Sequence, residues 1–249
     1  MNEAVFRYGG THYTNLLARI RARRVPLSQL QTHACGRRYA VRHDVDHSLE
    51  RALLFARMEK SIGVQAAYFL LHTAPYFTPA MVRSAASELR DLGHEVGLHH
   101  DILTSVAAGS TEPASDMLRR ALDVIGGPVT AVSAHGSVDG YRFGFRNYEL
   151  WYEFDPSKNE AGGGPRVTEP LSLSVFGLEY EAYFLKHDHY LTDSAKVWAS
   201  WAKELPRPFE RMRLRADNPG QRVIKLFNQE PDATLQLLVH PCHWHVSQV

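Results

Sequence analysis

From residue 39 onward the chain alternates short apolar runs with amphipathic stretches, and this alternation restricts its fold more than any other property. Runs at 39–41, 64–71, 94–99, 129–135, 179–185 and 233–239 read as strands. Helices are expected over 49–61, 79–92, 117–125 and 194–204, the first carrying Leu53, Leu54, Ala56 and Met58 at helical spacing. Gly93 fits the stop of the second helix, and Gly126-Gly127-Pro128 breaks the third. Strand and helix in turn are the sequence form of repeated βα units, so the fold class is α/β with a parallel sheet or barrel. Residues 136–170 are rich in Gly, aromatic and charged residues and form a loop-rich insertion, with a turn at Gly162-Gly163-Gly164-Pro165. Residues 1–37 are an N-terminal extension of what the length of 249 residues makes a single large domain.

The 28 basic and 27 acidic residues give a net charge of +1, so nothing global draws the chain to nucleic acid or to an anionic membrane. The start of the sequence, Met1-Asn2-Glu3-Ala4-Val5-Phe6-Arg7, is too polar for a leader, and no apolar run is long enough to span a bilayer; a cytoplasmic location is expected, without membrane insertion. Cys35 and Cys242 stand far apart in no metal-type spacing and are read as reduced thiols.

Chemistry concentrates at strand ends. The first strand runs into Arg42-His43-Asp44-Val45-Asp46-His47, where strand alternation puts Arg42, Asp44 and Asp46 on one face and Val41 and Val45 on the other. Two carboxylates in one pocket repel unless a cation or shared proton relieves them, which points to a divalent metal, a general base, or both. The plainer alternative makes Asp46 or Ser48 the cap of the following helix. Three more strand-like runs end in histidine, at His99-His100, His135 and His240. In α/β barrels residues at the carboxyl ends of strands converge on one site, so the recurrence outweighs the structural reading that any single one of the 14 histidines would receive. Parity puts His99 with Glu95 and Gly97, and His240 with Thr234, Gln236 and Leu238.

These residues resemble the polysaccharide deacetylase superfamily, the NodB-homology or carbohydrate esterase family-four enzymes, over roughly residues 38–245. Gly93-His94-Glu95-Val96-Gly97-Leu98-His99 is similar to that family's second motif at every fixed position, and Arg42-His43-Asp44-Val45-Asp46 resembles its aspartate-rich motif in a variant spelling. Leu237-Leu238-Val239-His240-Pro241 is similar to its late histidine motif. The resemblance implies a distorted (β/α)7 barrel of the polysaccharide deacetylase type, with Asp44 as catalytic base, Asp46 and His99 as ligands of zinc or another divalent transition metal, and His240 as catalytic acid. The family motif ends His-x-x-x-His, whereas here Leu103 stands four residues after His99, so another side chain must supply the third ligand. His135 is preferred because it closes a strand beside Gly136; His100 and His47 are in reserve. The family arginine that orients the base has no clear counterpart, with Arg42 and Arg142 the available guanidinium groups. Residues 187–194, with Trp244, offer a sugar-binding rim; Arg42, Tyr190, Asp193 and Trp244 are the substrate-binding candidates, against a solvated loop in which Asp193 or Ser194 caps a helix.

The implied activity is metal-dependent removal of an acetyl group, N-acetyl before O-acetyl, from a carbohydrate substrate, with the expected location favouring a precursor of a surface polysaccharide. Two other readings compete. A deacetylase-like protein that has lost a ligand can bind a glycan or partner without turnover. The His43-Asp44 and His100-Asp101 doublets also occur in helical HD-type metal phosphohydrolases, an all-helical architecture.

Overall fold

The computed structural model describes residues 8–32, 35–154, 168–194, 199–202 and 219–246. In chain order the elements are β1 (Tyr8–Gly9), α1 (Gly10–Leu17), β2 (Arg23–Arg24), β3 (Arg38–Val45), α2 (Leu49–Ser61), β4 (Ala67–Leu71), α3 (Pro79–Asp91), β5 (Glu95–His100), α4 (Ile102–Ala107), α5 (Ala114–Ile125), β6 (Ala131–Ala134), α6 (Val138–Phe143), β7 (Tyr180–Glu181), β8 (His189–Thr192), β9 (Ala199–Ala202), α7 (Pro219–Phe227), β10 (Thr234–Val239) and β11 (Trp244–His245). The chain forms two compact units: one of Met1–Tyr68, Leu92–Glu95 and Lys186–Val249, the other of Phe69–Asp91 and Val96–Leu185.

In the first unit β10 lies between β3 and β8 and runs parallel to both, with Leu235 opposite Tyr39 on one side and His189 on the other. Every residue of β3 and β10 is buried, as expected of parallel strands covered on both faces. Below the polar end of β3 sits a buried carboxylate, Glu59 of α2, which is fully inaccessible to solvent. It accepts hydrogen bonds from the Tyr13 hydroxyl, from the Tyr68 hydroxyl at 2.7 Å and from His43 Nε2 at 2.9 Å. His43 Nδ1 in turn donates to the Val239 carbonyl at 3.1 Å. The two ring nitrogens thus bridge the Val239 carbonyl and the Glu59 carboxylate. Burial pushes the Glu59 carboxyl up, but His43 and the two phenols more than offset this and hold it below its ordinary value. This pair fixes β3 to β10 beside Asp44. The cap of α2 is Ser48, whose hydroxyl accepts from the Arg51 amide at 3.3 Å, not Asp46.

In the second unit β5, β6 and β7 are parallel neighbours, with His99 opposite Ser133 and His100 opposite Ala134. The His72 amide donates to the His99 carbonyl at 3.1 Å, bringing the end of β4 alongside β5. Gly97 is required by packing: a Cβ there would lie 2.5 Å from the Phe69 ring and 2.8 Å from the Ala131 carbonyl oxygen.

The α/β class with parallel strands is as expected, and it excludes an all-helical phosphohydrolase fold. Several boundaries differ from expectation. Within 194–204, Ala199–Ala202 is a strand, β9, paired antiparallel to β8, and residues 195–198 and 203–204 lie outside the described residues. The helix-compatible run is captured by the edge of β8, which offers unpaired backbone groups. The run 179–185 yields only the two-residue β7, because Glu181 accepts from the Tyr183 amide and turns the chain into a 3₁₀ helix, Ala182–Phe184. Residues 136–170 contain α6 and a 3₁₀ helix, Asn147–Leu150, and the turn expected at Gly162–Pro165 lies outside the described residues. Among the described residues no helix is long and apolar enough to cross a membrane.

Candidate active site

The first unit gathers two buried ion pairs, Arg42–Asp44 and His240–Asp193, around the ends of β3 and β10. Strand alternation places Arg42 and Asp44 side by side, and the guanidinium grips the carboxylate in a fork: Nε donates to Oδ1 at 2.9 Å and Nη2 to Oδ2 at 2.7 Å. Both residues are almost fully buried, Arg42 at 1 % exposure. The planar fork fixes the carboxylate in orientation as well as charge. Of the two guanidinium groups that the sequence offers for orienting Asp44, Arg42 is the one that binds it, through both carboxylate oxygens. Arg142, on α6, lies over the ring of its exposed neighbour Phe143.

His240 closes β10. Its Nδ1 is 2.6 Å from Asp193 Oδ1, its backbone amide donates to the same carboxylate at 3.0 Å, and its Nε2 lies 3.9 Å from Asp46 Oδ2. Burial alone pushes the His240 imidazolium toward losing its proton, but Asp193, reinforced by Asp46 and Asp44, reverses the sign and raises its pKa to about 9. Asp193 itself is pushed up by burial and down by His240 and His243, with the net well below its ordinary value. The Trp244 indole donates to Asp193 Oδ2 at 2.6 Å and His243 Nδ1 lies 3.4 Å from it. Asp193, His240 and His243 offer ligand atoms within 4.8 Å of one another and so could hold a metal, but the carboxylate already accepts from the His240 ring and the Trp244 indole, the arrangement of an imidazolium and its counter-charge.

The expected sugar-binding rim is corrected by these contacts. Asp193 has no exposed surface and Trp244 only 2 %, so neither borders solvent. Asp188 accepts from the Thr234 amide at 2.9 Å and pins β8 to β10. Tyr190 stays half-buried on β8 with its hydroxyl pushed up to about 12, mainly by burial. Cys242 is a bystander whose thiol burial and the nearby Asp46 push up to about 12.

The second unit brings His99 and His135 together, their ring centroids 5.2 Å apart and the planes at 81°. One donor atom of each lies within 4.8 Å of the other. His99 donates Nδ1–H to the Ser133 carbonyl at 2.8 Å, so its neutral form carries the lone pair on Nε2. His135 Nδ1 makes a bent contact of 3.2 Å with Asp101 Oδ2. The reserve ligands are placed otherwise. His100 is buried and bonded through Nε2 to Glu181 Oε2 at 3.2 Å, with the Trp151 indole 3.1 Å from the same nitrogen, while His47 is exposed at the start of α2. Leu103, where the third histidine of the family motif would stand, is 2 % exposed and part of the core.

No protein-family model matches the chain, and no curated protein matches its sequence. The site therefore stands on its own geometry. Sequence reading had missed Asp193 as the partner of His240, Asp101 as the partner of His135, and the Glu59 anchor. Each is separated from its partner in sequence, by 47 residues for Asp193 and His240. Only the His240-x-x-His243 spacing hinted that a second imidazole would share the same carboxylate.

Proposed function

We propose that this chain is a zinc-dependent hydrolase that removes an acetyl group, N-acetyl in preference to O-acetyl, from a sugar or glycan precursor, on a distorted barrel of the deacetylase type. The observation that carries the reading is His240, held protonated by a buried carboxylate at Nδ1 while Nε2 lies 3.9 Å from the acidic face of β3. A positioned imidazolium next to a carboxylate gripped by arginine is an acid and a base with opposite settings, which is what hydrolysis of an amide needs.

Asp46, His99 and His135 are the proposed protein ligands. The Nδ1–H bond of His99 supports this, because it leaves Nε2 as the basic nitrogen. Zinc on such a donor set supplies a Lewis acid and a water with its pKa lowered to about 7. Asp44 would take a proton from the attacking water as its oxygen adds to the acetyl carbonyl carbon. His240 gives its Nε2 proton to the nitrogen as the carbon–nitrogen bond breaks, so acetate and a free amine leave. Arg42 keeps Asp44 ionised and aimed, and Asp193 keeps His240 charged until the proton is needed.

Acetate release from N-acetylated sugar nucleotides and short glycans, with zinc supplied, tests the reading. Turnover by the parent that falls by about 10² to 10⁴ in Asp44→Asn supports it. A parent that takes up no zinc, or an Asp44→Asn variant that retains most of the turnover, overturns it, and glycan binding without zinc or turnover would favour the non-catalytic alternative.

A further inference from the structure

We propose that Asp101 is the positioning residue that makes His135 a metal ligand, resting on the zinc reading above. The chain lacks the usual third histidine, and the core leucine Leu103 fills that place. His135 comes from a different strand end, and a histidine ligates only with the correct nitrogen deprotonated and aimed.

The neighbours of Asp101 determine that nitrogen. The Asn147 amide is fixed, since its Oδ1 accepts from the Thr104 backbone amide at 3.2 Å. Its Nδ2 therefore points the other way, donating to Asp101 Oδ1 at 2.7 Å and to the His135 carbonyl at 2.9 Å. Asp101 is held at its backbone as well: its amide donates to His72 Nδ1 at 3.1 Å and its carbonyl accepts from the Ser105 amide at 3.1 Å. With Oδ1 committed to Asn147, Oδ2 lies 3.2 Å from His135 Nδ1, in a charge contact too bent for a hydrogen bond. A carboxylate has no proton to donate, so it draws the imidazole proton to Nδ1 and leaves the lone pair on Nε2. The same choice is made at His99 by the Ser133 carbonyl. Two imidazoles from adjacent strands would thus share one tautomer, His99 through its hydrogen bond to the Ser133 carbonyl and His135 through the negative charge of Asp101 beside Nδ1.

Asp101→Asn is the informative change. Asn147 Nδ2 still demands an acceptor, so the new amide oxygen turns toward it and the new NH2 faces His135 Nδ1. That favours the opposite tautomer, with the proton on Nε2, and disfavours ligation at a nearly constant shape.

Zinc affinity is measured by competition with a chromophoric chelator, for the parent, Asp101→Asn and His135→Ala, alongside melting of each apo protein. Zinc binding weakened about 10- to 100-fold in Asp101→Asn, with apo melting unchanged, is expected. Nitrogen-15 imidazole spectra of the apo parent, assigned through the resonance lost in His135→Ala, should show the proton on Nδ1. Should Asp101→Asn not fold, the parent spectrum alone decides. Parent-like zinc affinity in Asp101→Asn, or a proton on Nε2 in the parent, overturns this role of Asp101 and leaves the zinc reading standing. A parent that binds no zinc overturns the zinc reading itself, and this inference with it.

Discussion

Asp193 Oδ1 sits 2.6 Å from His240 Nδ1, in a pocket where the carboxylate has no exposed surface and the imidazole very little. Such a pair is held by its own electrostatics, because neither member can fall back on water. Truncating one partner leaves an uncompensated buried charge, at a cost of about 3–5 kcal/mol.

The pH dependence follows from the two shifts. The folded pKa of His240 is raised from 6.5 to about 9, so its contribution is complete below 6.5 and fades as pH rises through about 9. Asp193 is depressed below 3.8, so its contribution is present above that value and fades as pH falls further. Urea unfolding of the parent and Asp193→Ala across pH should therefore show the largest difference between about 3.8 and 6.5, narrowing on both sides. A difference that does not vary with pH would refute the ion pair.

The Glu59 anchor is a second buried pair, but its role is folding. Glu59→Ala leaves His43 Nε2 and two phenols without their buried partner. A loss of about 3–5 kcal/mol is expected in chemical denaturation. Glu59→Gln should lose less, since an amide oxygen still accepts from the phenols, and the order of the two variants is the check.

Arg42→Lys separates charge from geometry. Lysine preserves the positive charge but not the fork that holds both Asp44 oxygens. With Asp44 as the base, the loss should fall on kcat more than on KM and approach 10²-fold, the scale of a small misplacement of a reacting group. Unchanged kcat would mean that Asp44 needs no orienting partner, and steady-state kinetics on an acetylated sugar measures it.

What could be read from the sequence was local. The period-two pattern of β3 placed Arg42 beside Asp44, and the Gly97-x-His99 spacing placed a histidine at a strand end, since both need only neighbours on one strand. The helix 49–61 was legible to the residue because Ser48 and the apolar spacing lie in one window. What failed was set by distant contacts. Asp193 read as a sugar-binding or helix-capping residue because nothing near it in sequence shows that His240, Trp244 and His243 close over it. Ala199–Ala202 has no strong strand signal of its own and becomes a strand by pairing with β8. Asp101 follows two histidines, yet its importance comes from Asn147, 46 residues later.

Gly97 offers a test of why the motif around His99 has its form. In β5 its Cα faces the Phe69 ring of β4 and the Ala131 carbonyl of β6, and a methyl group there would meet ring carbons at 2.5 Å and the oxygen at 2.8 Å. The ring can tilt; the carbonyl belongs to a ladder and cannot. Gly97→Ala should therefore cost about 1–3 kcal/mol through overpacking. Because His99 lies two residues on and shares the same face, the strain should also weaken the proposed zinc binding. Phe69→Leu in the Gly97→Ala background should recover part of the stability, the part due to the ring, while the carbonyl clash persists. A double-mutant cycle by thermal melting isolates that coupling. Full recovery would mean that the ring alone excludes a side chain at Gly97, and no recovery would mean that the backbone of β6 does.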